Sequence, residues 1–322
     1  ALAIVDAAAR AGAHALKIQT YTADTMTIDA APSEFHIRDE GSLWKGKSLY
    51  ALYQEAHTPW EWHEPIFRRC RERGLIGFSS PFDATAVDFL ERLDVPCYKV
   101  ASFENTDLVL LERIAATGKP VIVSTGLATV GELAETVELL RKRKSPFVLL
   151  KCTSSYPASP ENTNLATIPH LRDLFGCPVG LSDHTFGIGA AVASVALGAC
   201  FIEKHFTLAR ADGGVDAAFS LEEPELASLV VESERAWQAL GRVHYGPTSS
   251  EARSIQFRRS LYVVRDIRKG EPFGPDNVRA IRPGLGLPVK FLDVFVGKKA
   301  PRNIPRGTPL GWDLLGEPAP RT

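Results

Sequence analysis

The chain has 322 residues, 45% of them hydrophobic and 23% charged, and its 37 basic and 38 acidic side chains nearly cancel, to a formal charge of −1. Such a balance argues against bulk electrostatic binding to nucleic acid or anionic membrane, and no apolar run approaches the ~18 residues of a membrane span. The 5 cysteines are odd in number and include no CxxC pair, which argues against a disulfide framework and for reduced thiols in a cytoplasmic protein.

The opening residues carry Ala3, Ile4, Ala7 and Ala8 at helical spacing, and the pattern stops near Gly12. Strands are then predicted at 15–21, 75–82, 97–102, 120–126, 147–157, 178–184 and 200–207. Helical patterns fill most of the gaps, among them Ala84–Leu93, Leu108–Thr117, Val130–Lys142 and Ile188–Leu197, and a last one runs over about 224–240. The RKRK run at 141–144 reads as a solvated helix C-terminus. Strands alternating with helices predict right-handed βαβ units and a parallel sheet. The count stops one strand short of a (β/α)8 TIM barrel. The expected fold class is therefore α/β, with a barrel over residues 1–240 whose first strand belongs ahead of Ala1. An open α/β sheet is the rival arrangement. Polar residues recurring at nearly every strand end favour the barrel, whose site lies at that rim. Residues 241–259 read as a polar linker, and 260–322, with short β-branched runs, a Lys-Gly turn and several prolines, as a small, mostly β second domain.

The strand ends hold two lysines and many hydroxyls, including Lys17, Ser80, Lys99, Ser102, Ser124, Ser154 and Ser182. A single serine there is readily a helix cap or turn residue. Their repetition, beside helix N-termini, points instead to an anionic, phosphate-bearing ligand. His184 and His205 end neighbouring strands with Asp183 and Glu203 beside them, so about 5 Å would separate them. Such a pair suits a divalent metal with positions left open for water and substrate. The HTPWEWHEP segment at 57–65 reads as packing and a helix start, and no GxGxxG, P-loop, HExxH or GxSxG motif occurs.

The ordered set KIQTY, PFD, YKVASFE, GKPVIVSTGLAT, LLKCTSSYPA, PVGLSDHTFGI, ALGACFIEKHFTL and DAAFSLEEPEL resembles the sialic acid synthase family across nearly the whole chain. FRRSLYVVRDIRKGE and RPGLG resemble its C-terminal antifreeze-like (SAF) domain. Within the family, the segments at 48–62, 101–107 and 210–221 are most similar to pseudaminic acid synthases, and Phe103 stands where neuraminate synthases usually carry glycine. The resemblance implies a condensation of phosphoenolpyruvate with an N-acetylated deoxy amino sugar, 2,4-diacetamido-2,4,6-trideoxy-L-altrose, in a domain-swapped homodimer. It also implies a divalent ion, manganese first with magnesium or cobalt as alternatives, held by His184 and His205. Phosphate contacts would fall to Lys99, Ser102, Ser124, Ser154 and Ser182, and the phosphoenolpyruvate carboxylate to Lys17 and Ser80. Sugar contacts would fall to Gln19, Glu104, Tyr156 and Asp216, with Arg282 reaching over from the second copy. The expected catalytic set is Lys17, Glu104, His184 and His205. The family's first strand carries an acidic residue and an Asn-His-Asn-Gly segment that this sequence lacks, so the expectation is that the polypeptide as written is unstable or nearly inactive. Neuraminate or legionaminate synthesis is the alternative reading within the family. Outside it stand a class II-type metal aldolase and a non-catalytic, carbohydrate-binding relic.

Overall fold

The β-rich runs of the first two hundred residues form strands β1 (Ala15–Thr20), β2 (Ile76–Pro81), β3 (Tyr98–Val100), β4 (Val121–Ser124), β5 (Phe147–Cys152), β6 (Val179–Asp183) and β7 (Ile202–Lys204). They are all parallel and pair in strict chain order. The computed structural model describes residues 1–38 and 44–315. It divides into two compact units, Ala1–Gly241 and Arg242–Thr322.

Strict chain order decides between the two architectures. A doubly wound open sheet reverses its strand order at a switch point; this sheet never does. It also curls. Six strand spacings would carry β7 about 29 Å from β1 in a flat sheet, yet Lys17 of β1 and Glu203 of β7 approach to 3.2 Å. The sheet is a (β/α)8 barrel one strand short, with β1 and β7 as its edges among the described residues.

Alternation along each strand sends successive side chains to opposite faces. The outward set includes Tyr98, Val100, Val121, Val123, Leu149, Val179 and Leu181, which pack against buried helix residues such as Leu90, Leu111, Ile114 and Leu140. This is the main core. On the inner face Phe78, Ile122 and Leu150, with Ala15, Cys97, Val148 and Phe201, plug the N-terminal end of the barrel. Gly180 completes that plug: a Cβ there would lie 2.4 Å from the Phe201 carbonyl oxygen and 2.8 Å from Leu150 Cδ2. His63 opens the helix His63–Glu72 behind the sheet. Its Nε2 lies 2.7 Å from the Thr20 hydroxyl, which lies 2.6 Å from that of Ser79. This buried histidine is therefore satisfied by packing and hydrogen bonds, as its segment predicts.

In the second unit β8 (Ser260–Val263) pairs antiparallel with β9 (Val278–Ile281) over a core of Leu261, Val263, Ile267, Phe273, Phe295 and Leu310. The short 3-10 turn Ala252–Phe257 attaches to this unit, Gly284 N–H donating to the Gln256 carbonyl at 2.7 Å. Residues 316–322 of the expected small domain lie outside the described residues.

Candidate active site

One step along the inner face from the apolar plug, the side chains change character. Ala15 gives way to Lys17, Phe78 to Ser80, Cys97 to Lys99, Ile122 to Ser124, Leu150 to Cys152, Gly180 to Ser182 and Phe201 to Glu203. The parallel register keeps these residues on one face, with Gln19 opposite Ser80, Cys152 opposite Ser182 and Ser182 opposite Glu203. A further step brings Gly126, Ser154, His184 and His205 to the rim. The predicted residues of β1 to β7 thus converge because the period of a strand is two.

The serines are not helix caps. The helices after β2, β3 and β4 are capped by Asp83, Asp107 and Thr129, which leaves Ser80, Ser102 and Ser124 free for the site. Ser80 Oγ is buried with no hydrogen-bond partner. The Ser124 hydroxyl accepts from Lys99 Nζ at 2.6 Å, and Ser102 Oγ accepts from the Gly126 N–H at 3.1 Å.

Between the lysines sits Glu203, 3.2 Å from Lys17 Nζ and 3.9 Å from Lys99 Nζ. Burial alone would push this carboxyl up, but the two ammonium groups overcome it and hold Glu203 down at about 2. Burial pushes Lys99 down to about 8 against the attraction of Glu203. Burial also lifts Glu104 to about 7, only partly offset by Lys99, and Glu104 Oε2 has no partner.

The rings of His184 and His205 lie 5.3 Å apart. His184 Nδ1 lies 2.9 Å from the Thr153 carbonyl oxygen, and His205 Nδ1 lies 3.3 Å from Asp216 Oδ2. Both rings are thereby set with Nδ1 bearing the proton and Nε2 the lone pair. Metal-ligating histidines are commonly held by such an acceptor on the far ring nitrogen, so the residues fit a divalent ion. Among the described residues no further His, Cys, Asp or Glu joins them in a metal-binding group of three or more. Tyr156 stacks 4.5 Å from His184, and Phe219 lies 4.9 Å from His205 and 6.3 Å from His184. Asp216 stands at the N-cap of the turn that carries Phe219. Arg282 is exposed beyond the end of β9, in the second unit.

Three contributors escaped the residue-by-residue reading. Glu203 had no assigned place between the lysines; its position on the inner face, two residues before His205, was the available signal. Phe219 carried no polar signal. Gly126 drew no reading of its own; a Cβ there would lie 2.2 Å from Ser154 Oγ and 2.6 Å from Ser102 Oγ. Gly126→Ala is expected to displace both hydroxyls and to raise the KM for a phosphate-bearing substrate on the order of tenfold, a loss of about 1.4 kcal/mol, with kcat less affected. Steady-state kinetics on the variant check this.

Residues 4–245 match the model of the NeuB family, and residues 258–316 match the SAF domain. The chain belongs to the NeuB family. It is 44% identical over 96% of its length to the pseudaminic acid synthase of Campylobacter jejuni serotype O:2, covering 90% of that protein. It is 42% identical over 94% of its length to the pseudaminic acid synthase of Helicobacter pylori, covering 89% of it. The crystal structure of the N-acetylneuraminic acid synthetase of Leptospira borgpetersenii superposes with a TM-score of 0.70 at 34% identity, over 80% of this chain and 85% of that one. Among the described residues no helix is long and apolar enough to cross a membrane.

Proposed function

We propose that the chain is a pseudaminic acid synthase, condensing phosphoenolpyruvate with open-chain 2,4-diacetamido-2,4,6-trideoxy-L-altrose to give pseudaminic acid and phosphate. The observation that carries the chemistry is the single inner face on which two lysines and a set of serine hydroxyls, that of Ser80 without a partner, lie beside two imidazoles whose Nδ1 atoms are both committed. The choice of sugar is supported by the 44% identity to a pseudaminic acid synthase.

C3 of phosphoenolpyruvate attacks the aldehyde carbon, forming the new C–C bond, and the aldehyde oxygen takes up a proton to become an alcohol. Water adds to the electron-poor C2, losing a proton. The C2–O bond to phosphorus then breaks, phosphate departs, and C2 is left as the ketone. A divalent ion on His184 and His205, manganese before magnesium or cobalt, would supply Lewis-acid polarisation of the aldehyde oxygen. Lys17 and Ser80 are assigned to the phosphoenolpyruvate carboxylate; Lys99, Ser102, Ser124, Ser154 and Ser182 are assigned to its phosphate. Two anionic groups so held stay close to each other and to the aldehyde, which is positioning plus charge stabilisation. Glu104, held near neutrality by burial, is assigned the proton that ends on the new alcohol. Gln19, Tyr156 and Asp216 take the sugar, joined by Arg282 of a second copy in a homodimer. The 5 free thiols and the phosphorylated substrate suit the cytoplasm.

Phe103, 60% exposed beside Glu104, suits a sugar ending in a methyl group. One methyl against one hydroxyl is worth roughly 10- to 200-fold in kcat/KM. Phosphate release measured with the diacetamido trideoxy aldose and with N-acetylmannosamine is expected to favour the former by at least that margin. Preference for N-acetylmannosamine would assign the chain to neuraminate synthesis.

A further inference from the structure

We infer that the buried ion pair Asp183–Lys204 is a positioning device that sets the separation of the two imidazoles; the inference rests on the metal reading of the site given above. Asp183 is the last residue of β6 and Lys204 the last of β7, and they are direct register partners. The residue following each is a site histidine. By alternation the charged pair points to the outer face and the histidines to the inner one.

The pair is closed on itself. Lys204 Nζ donates to Asp183 Oδ2 at 3.0 Å and to the Thr185 carbonyl at 2.6 Å. Asp183 also accepts from the Thr185 N–H at 3.0 Å and the Thr185 hydroxyl at 3.1 Å. The side chains of Lys204 and Asp183 are 2% and 0% exposed. A buried ion pair is a poor way to add stability, since an apolar pair of similar volume commonly serves as well or better. It is a good way to fix register, because a slipped strand would leave a charge buried without a partner.

Register needs fixing here. β7 has 3 residues and, among the described residues, pairs only with β6. A slip by one residue would turn His205 from the inner to the outer face. The ring of bonds through Asp183, Thr185 and Lys204 spans both strands at the point where the histidines leave them. Lys204 and Asp183 touch no reacting atom; they act through His184 and His205.

The test is Mn(II) binding to the metal-free chain, read from the EPR signal of free Mn(II), with thermal unfolding measured in parallel. The neutral double variant D183N/K204M is expected to unfold near the parent temperature yet bind Mn(II) about 10- to 100-fold more weakly, the usual consequence of losing the groups that orient a metal's ligands. T185V, which removes one donor to Asp183 and leaves the ion pair, is expected to weaken binding about tenfold, the low end of that range, and it decides the matter should the double variant fail to fold. E91Q is the control. It removes the charge that Lys119 pairs with and leaves only a weaker amide acceptor for Lys119 and for Tyr98, on β3, and is expected to lower the unfolding temperature without changing Mn(II) affinity. A folded D183N/K204M, or failing that T185V, with parent affinity would overturn the inference while leaving the metal reading intact. A parent chain that binds no Mn(II) would overturn both.

Discussion

Replacing either His184 or His205 by alanine is expected to lower turnover at least 1,000-fold, a loss of about 4 kcal/mol of transition-state stabilisation, while shifting Tm by only a few degrees. The disparity follows from geometry. Each ring has its Nδ1 committed, His184 to the Thr153 carbonyl and His205 to Asp216, so each offers one Nε2 to the cavity. Removing one ring leaves a single imidazole donor. The structural loss is small by comparison: His205 lies at the rim and is only partly buried, and the buried His184 gives up one hydrogen bond, to the Thr153 carbonyl. The double variant is expected to be little worse than either single one, because the two donors act as a unit. Phosphate release and Mn(II) binding, followed together, check the prediction. A single variant retaining a tenth of parent turnover would remove the pair from the chemistry.

Glu104→Gln is expected to reduce turnover by about 100- to 10,000-fold, the range for a lost general acid or base, and at the same time to stabilise the fold at neutral and higher pH. The sign follows from the folded carboxyl lying above its unfolded value, about 7 against 4.5. Below pH 4.5 both states are protonated and the shift costs nothing. Between pH 4.5 and 7 the unfolded chain gives up its proton first, so stability falls. Above pH 7 the cost is constant, up to about 3 kcal/mol. Glutamine removes that cost but leaves a buried amide in place of the unpartnered Oε2, so the net gain is expected to be about 1–2 kcal/mol at pH 8 and nothing at pH 4. As a proton donor Glu104 must be protonated, so parent activity should fall as pH rises through about 7. The variant should lack that limb. Denaturant unfolding at the two pH values and a pH profile of kcat/KM separate the roles. A variant destabilised at pH 8 would contradict the burial argument, and an unchanged pH profile would contradict the catalytic one.

The sequence by itself determined a great deal here, because strand and helix periods are local properties. Seven short β-rich runs, separated by helical stretches, were legible as seven parallel strands, and among the described residues seven pair in that order. The ends of those runs already brought Lys17, Ser80, Lys99, Ser124 and Ser182 to a common rim, with Glu203 beside the histidines. The strand-end histidines could be read as neighbours at about 5 Å, close to the observed 5.3 Å, since adjacent strands have a fixed spacing.

What crosses the barrel was not legible. The approach of β1 to β7 that seats Glu203 between Lys17 and Lys99 depends on curvature, which accumulates over the whole sheet and is written in no single segment. Nor could local pattern say whether a strand-end serine caps a helix or faces the cavity. Asp83, Asp107 and Thr129 do the capping, and only the packed structure shows the serines released from it. The protonation of Glu104, the tautomers of the two histidines and the need for glycine at Gly126 were likewise settled by tertiary contacts. Each depends on which atoms from distant segments come within a few ångströms, and sequence spacing does not encode that distance.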